Sequence, residues 1–522
     1  MYSTNLKNKI RTLGKIVLLT IMLSAMSSCK DDDTTITSPK AKPFDSSLPV
    51  SIQSFTPEKG SAYEQLIIYG SNFGNDKDAV KLKIGGKDAT VINVASDKLY
   101  AFVPPMAFSG EIELTILDRD GKGYSASSPK NFIYDAQPVV GTLCGYQNDN
   151  DSQGELWGSF DICCGFNAEG CLAMDPLYPD RVYICYDKGA GMIAQLDLAN
   201  RECTPLMSAN KFQTQRLRNI DFTLDGQYML VSTDRADHDD QSTSVWIVSR
   251  NADGTFSDRS SCQPLVAYKQ CNGVAVHPVN GEVYFNSYSN GELFRMNPQD
   301  YFDSFIPDED GNTKTWTGYK EDGAFKELFK IQDPSYEFQI TIHPSGNYAY
   351  IVVINRSYIL RTDYDWEKKE FTTPYVVAGS NGSEDWTDAV GTNARLHRPY
   401  QGVFVKNPQY EEEGKDDVYD FYFCDCLNFC VRYLTPEGIV RTYAGRAPST
   451  NGNIWGTEDG SLRQAARFRD VTGIAYDKVR ERFYVLDHNN RRIRTIGKER
   501  EDDIIVGGGN EDNSEENTEV TE

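Results

Sequence analysis

Histidine is scarce in this chain: five in 522 residues, at His238, His277, His343, His397 and His488. There is no H-E-x-x-H pair, no G-x-S-x-G elbow and no G-x-x-x-x-G-K loop. The common signatures of zinc-protease, serine-hydrolase and nucleotide chemistry are therefore missing. Positive charge is also short, with 53 Lys and Arg against 76 Asp and Glu, a formal net charge of -23. That balance argues against a nucleic acid or an anionic membrane as partner, because neutralising phosphate takes basic patches. The apolar run from Ile16 to Met26 is too short to span a bilayer. What is present is 39 % apolar content without long helical periodicity. A chain of this length can bury a substantial core and hold more than one domain.

The N-terminus reads as an address, residues 1–28. Lys7, Lys9, Arg11 and Lys15 precede the apolar run, and the small-residue stretch "SAMSSC" follows it. This resembles the lipobox of bacterial lipoproteins, which implies cleavage before Cys29 and lipidation of its thiol, although Met26 stands where that family usually has Leu. The following "CKDDD" is similar to the acidic signal that sends some Gram-negative lipoproteins to the outer face of the outer membrane. The expected location is thus the cell outer membrane, surface-exposed and lipid-anchored. Residues 29–48, mostly Thr, Ser, Pro and Lys beyond the acidic cluster, suit a flexible tether.

From 49 to 135 short runs such as "QLIIYGSNFG", "VKLKIGG" and "EIELTILD" alternate apolar and polar residues between Gly, Pro and Asn. That rhythm predicts a small all-β sandwich. Pro57 with Gly60, Gly70-Ser-Asn72-Phe73-Gly74, Gly86 with Ala89 and Val91, and Val103-Pro104 with Gly110 resemble the IPT/TIG immunoglobulin-like family. In that family the module is usually a spacer or a binding platform, so Asp118 and Asp120 are expected in a hairpin turn rather than a calcium loop.

Beyond Gln137 the chain compares with itself. "DFYFCDCLNFCVRYL" (420–434) sets above "ERFYVLDHNNRRIRTI" at an offset of 62, so Asp425 falls on Asp487, Asn428 on Asn490 and Arg432 on Arg494. Weaker copies begin at "GCLAMDP", "NIDFTLDG", "NGVAVHP" and "FQITIHP", giving six over residues 137–509. Four apolar runs per copy, repeated at about sixty residues, mean a β-propeller. The Gly-Ile, Tyr-Val and Asp-x-x-Asn-x-x-Ile-Arg pattern resembles the NHL repeat. The expected fold is all-β, an immunoglobulin-like sandwich followed by a six-bladed NHL-like β-propeller. "PVVGTLCG" (138–145) is expected to supply the last blade's missing outer strand, with "DDIIVGG" (502–508) as its competitor, and 510–522 form a loose acidic tail.

Cys424, Cys426 and Cys430 stand where the sister repeat has Leu486, His488 and Arg492, positions that need no special chemistry. A zinc or iron-sulfur site would want four ligands at C-x₂-C-like spacing. A hairpin centred on Leu427 would instead set Cys424 opposite Cys430, a bridge open to an exported protein. Setting aside the lipidated cysteine leaves eleven of twelve, an odd number, so at least one stays unpaired within the chain.

No catalytic residue, metal site or cofactor is implied. His277 and His343 precede Pro at equivalent turn positions, and the acidic stretches at 148–155 and 308–312 read as solvated loops. Some NHL-like propellers are enzymes that hold a metal in the central channel, but the repeated positions here are too irregular to nominate ligands. What remains is a surface. The turn leaving each second strand and the loop leaving each outer strand emerge on one side of the disc. That side carries Asp425, Asn428, Asp487, Asn490, Trp386, Trp455, Arg395 and Arg467. Tryptophan with flanking carboxylate, amide and guanidinium groups suits a sugar. The alternative is that the rings fill gaps between blades and the arginines brace loops; Trp157 and Trp316 lie in other insertions. IPT/TIG plus NHL proteins resemble accessory components of surface polysaccharide-utilisation systems, working beside outer-membrane transporters. The resemblance implies a carbohydrate-binding lipoprotein whose partners are an extracellular glycan, a transporter and other surface lipoproteins. A propeller enzyme, a metal-dependent hydrolase or lyase, and a protein-protein scaffold are the alternatives.

Overall fold

The computed structural model describes residues 42–145, 156–187, 192–214, 216–234, 243–267, 270–288, 290–320, 322–331 and 337–500. The leader, Cys29 and the tether as far as residue 41, the acidic stretch 148–155, the competing strand at 502–508 and the tail all lie outside them. The chain forms two compact units, residues 1–133 and 134–522. Among the described residues α-helix is confined to Pro298–Asp303 and Pro408–Glu412.

In the first unit the two-residue alternation builds two sheets. One orders Ser51–Thr56, Gln65–Ser71, Lys98–Phe102 and Thr90–Ala95; the other orders Lys87–Asp88, Val80–Ile84, Ile112–Leu117 and Gly123–Ser127. Alternate side chains point inward, so Leu66, Ile68, Leu99 and Ala101 of one sheet and Leu82, Ile84, Leu114 and Ile116 of the other are buried. The motif at 70–74 has steric reasons. A Cβ on Gly70 would lie 2.0 Å from the Ser51 carbonyl oxygen, and Gly74 has φ +78°. Asp118 closes the predicted hairpin by accepting the backbone N–H groups of Asp120 and Lys122 at 3.0 and 2.9 Å.

The second unit is a ring of six sheets. The inner strands are Gly170–Met174, Leu217–Phe222, Val274–Val276, Phe338–Ile342, Pro399–Lys406 and Val471–Asp477, each the first of a four-stranded antiparallel meander. Neighbouring inner strands touch around the whole ring, the last returning to the first. In the sixth blade the outer strand is Pro138–Cys144, which pairs antiparallel with Arg492–Lys498, Val140 opposite Ile496. The N-terminal strand therefore closes the propeller. Its Val140 enters the cluster that joins the fourth, fifth and sixth blades, with Phe404, Phe421, Phe468, Ile474 and Ile496.

The bridge expected between Cys424 and Cys430 is corrected by the register. Cys430 pairs with Asp425, while Cys424 pairs with Val431. Directly opposed residues share a face and consecutive ones alternate, so the two thiols sit on opposite faces of the blade. Cys424 points its sulfur at the Gly473 carbonyl of the next blade, 3.6 Å away, and both cysteines are free and buried.

Ile496 is fully buried beneath the closing strand. Ile496→Ala is expected to cost about 2–5 kcal/mol in urea unfolding of the propeller. A non-reducing peptide map should return Cys424 and Cys430 unlinked; recovery of that crosslink would contradict the register.

Candidate ligand-binding face

The loops entering the inner strands and the turns after the second strands gather on one rim, and in two blades a buried ion pair organises them. The second strand of the fifth blade ends at Asp425, which is fully buried. Its Oδ1 accepts the backbone N–H of His397 at 2.8 Å, and its Oδ2 accepts the Asn428 amide and the Arg432 guanidinium, each at 2.8 Å. Arg432, equally buried, also donates to the carbonyls of Arg395 and Thr387 at 2.6 and 2.7 Å and to Asp388 at 2.7 Å. The sixth blade repeats the arrangement. Asp487 accepts from the N–H of Arg469 at 2.7 Å, from Asn490 at 2.7 Å and from Arg494 at 2.9 Å, and Arg494 reaches the carbonyls of Arg467 and Glu458 at 3.1 and 2.9 Å. Burial pushes the Asp487 carboxyl up to about 6 against the pull of Arg494.

These contacts correct the sequence-based site. Asp425, Asn428, Asp487 and Asn490 spend their polar atoms on the loops themselves: Asn428 donates to the Asp385 carbonyl at 2.8 Å and Asn490 to that of Gly456 at 2.7 Å. They hold the face, and Asp425, Asn428 and Asp487 are buried beneath its surface. Arg395 donates to the carbonyls of Thr392 and Ala394 at 2.7 and 2.8 Å, and Arg467 grips Glu458, its Nε 2.8 Å from the carboxylate. Both brace their own loops. Trp386 is half-buried, its Nε1 donating to Thr442 at 2.9 Å and one ring face covered by Arg446 at 4.2 Å. Trp455 is 39 % exposed, with Arg469 at 4.8 Å from its ring. Of the eight residues, Asn490, Arg395, Arg467 and the two tryptophans keep some exposure, and the tryptophans add an aromatic ring to it. Trp316 is structural, donating to the Leu265 carbonyl at 2.9 Å and abutting Tyr301, and Trp157 packs against the first blade's core.

Sequence reasoning passed over the centre of the same face. The residue directly before an inner strand stands at the mouth of the channel: Glu169, Arg216, Glu337, Arg398 and Asp470, in five of the six blades. With the buried Arg218, Asp187 and Asp234 they form an ion-pair network. Arg398 pairs with Glu169, Nη2 to Oε2 3.1 Å; Arg216 lies 3.2 Å from both Asp187 and Asp234; Arg218 pairs with Asp187 and lies 3.3 Å from Glu337. Arg398 and Asp470 adopt φ of +54° and +59°, uncommon for residues with a Cβ. Below the mouth the channel is filled. Gln401 accepts from the backbone N–H groups of Leu172 and Ile474 at 2.8 and 2.9 Å, and the Tyr400 hydroxyl lies 3.4 Å from Arg218. Beside Glu169, Arg398 and Asp470 lies a cavity of about 280 Å³, lined also by Cys426, His488 and Asn489. Cys426 and His488, aligned in the repeats, thus meet at one site. The missed signal was a charged residue recurring at one repeat position, "EG", "RL", "EF", "RP" and "DV", which an alignment anchored on Asp-x-x-Asn did not weigh.

Removing one member of a buried pair strands the other. Arg432→Met and Arg494→Met are each expected to cost about 3–5 kcal/mol by denaturant titration. A cost near zero would show that the pair does not hold the loops.

Comparison with known proteins follows this geometry. The IPT/TIG domain model matches residues 49–134. A Bacteroides thetaiotaomicron protein provisionally named a phosphatase is 50 % identical, over 88 % of this chain and 99 % of its own, with TM-score 0.76. An auxiliary nutrient binding protein of the same species is 38 % identical over 88 % and 100 %, TM-score 0.74. Another auxiliary nutrient binding protein, from Bacteroides ovatus, is 32 % identical over the same shares, TM-score 0.64. Among curated proteins none matches. With a sandwich, a closed propeller and nearly nine-tenths of its length shared at such identity, the chain belongs to the family of these Bacteroides proteins, an IPT/TIG domain followed by a β-propeller.

Proposed function

We propose that this protein is a cell-surface lipoprotein, anchored through Cys29, that binds an extracellular polysaccharide and assists its capture and uptake beside an outer-membrane transporter. The observation that carries the reading is kinship: two relatives named auxiliary nutrient binding proteins are matched along their whole length. Two tryptophans on the face support the reading. Trp455 and Trp386 stand on adjacent long loops of the face, fixed by the buried pairs beneath, and guanidinium groups lie against their rings. A ring face takes the C–H side of a sugar, and the polar groups beside it take hydroxyls. No helix among the described residues is long and apolar enough to cross a membrane. An N-terminal lipid would supply the attachment that this reading requires.

An enzyme reading enters through the provisional name of one relative. Among the described residues no group of three or more His, Cys, Asp or Glu is placed to hold a metal ion. Release of phosphate, or shortening of a bound glycan over hours, would replace binding by turnover.

The test is affinity electrophoresis of the full chain in gels containing plant or host glycans. At least one glycan is expected to retard it, and Trp386→Ala with Trp455→Ala to remove the retardation. A double mutant that still runs like the parent would take the site away from the tryptophans.

A further inference from the structure

We propose that the channel mouth is a separate binding pocket for a sugar-sized molecule carrying a protonated primary amine, with Asp470 and His488 as the acceptors of its ammonium group. The idea concerns residues other than the two tryptophans and goes beyond the glycan reading.

Three observations lead to it. The first is unused hydrogen-bonding capacity. His488 lines the cavity and is 7 % exposed. Its Nδ1 has no hydrogen-bond partner. In the tautomer that carries its proton on Nε2, Nδ1 is an acceptor. Burial lowers the proton affinity of the ring. Asp470 receives the Asn489 amide on Oδ2 and leaves Oδ1 without a partner. A buried acceptor left unmatched is unfavourable, and two meeting at one cavity call for a donor.

The second is charge. Glu169, Asp187, Asp234 and Glu337 each have a guanidinium within 4.0 Å. Asp470 is held instead by a neutral amide. Among the described residues the charged groups lining the cavity are Glu169 and Asp470 with Arg398, and Arg398 is paired with Glu169. An ammonium carries three donors and no acceptor, and its bonds to a carboxylate are charge-assisted.

The third is size and shape. The plug formed by Gln401, Tyr400 and Arg218 makes the mouth a dead end rather than a pore, and about 280 Å³ admits one small ring, not a chain in transit.

The test is isothermal titration of the full chain, at low salt, with glucosamine, glucose and glucuronate. Glucosamine is expected to bind at least tenfold more tightly than glucose, and glucuronate most weakly. Asp470→Asn, which can still accept from Asn489, and His488→Gln should each cut glucosamine affinity tenfold or more. Trp386→Ala with Trp455→Ala should leave it unchanged, so failure of the polysaccharide reading and failure of this one are separable. Should either mouth variant not fold, saturation-transfer NMR on the parent decides: transfer to glucosamine, abolished by excess methylamine and untouched by acetate, supports the pocket. Equal affinity for glucose and glucosamine, preference for glucuronate, an unchanged Asp470→Asn, or no amine binding by the parent would each overturn it.

Discussion

The rim that carries the long loops depends on one pairing, the antiparallel ladder between Pro138–Cys144 and Arg492–Lys498. A propeller blade is stable when both faces of its sheet are covered and its edges are short or protected. Without the N-terminal strand the sixth blade would expose the edge of Arg492–Lys498 and the cluster around Ile496 would lose a wall. The same blade carries Asp487, Arg494, Asp470 and His488. Closure therefore sets the buried Asp487–Arg494 pair, the mouth and one tryptophan loop at once, and it ties residues about 350 positions apart in sequence.

Within the closed ring the charged groups divide into two kinds of work. Asp425 with Arg432, and Asp487 with Arg494, are buried pairs that fasten the long loops to the turns beside them. Such pairs add little net stability over an apolar filling, but breaking one is severe, so they fix a loop in one position. At the mouth Asp470 has no cationic partner among the described residues and His488 keeps an unmatched nitrogen, the opening that the proposed amine would fill. The recurrence of Asp-x-x-Asn marks the first kind, and the irregular charges before the inner strands mark the second.

That contrast explains what was legible in the sequence. Strand alternation and a repeat of about sixty residues are spread along the whole chain, so the sandwich and the propeller could be read directly, while the closing strand was narrowed to two candidates, of which the ladder with Arg492–Lys498 identifies Pro138–Cys144. The position shared by Asp425 and Asp487 was equally plain, but repetition was mistaken for ligand contact. Residues that recur at one repeat position more often brace the repeat, and only the burial of both carboxylates distinguishes the roles. The thiols of Cys424 and Cys430 were misplaced because a one-residue change in register moves a side chain to the opposite face. The mouth escaped notice because its members come from five blades and are joined only when the ring closes. His488 and Cys426, seen as aligned but without partners, are brought together by that closure.

The central claim, that the N-terminal strand is an integral part of the ring, is open to native-state hydrogen exchange. The hydrogen-bonded amides of residues 138–144 should exchange only through global unfolding of the propeller, with the same free energy and denaturant dependence as those of Arg482–Asp487 in the same sheet. Exchange of the strand through a separate, low-energy opening while the rest of the blade stays protected would contradict the account.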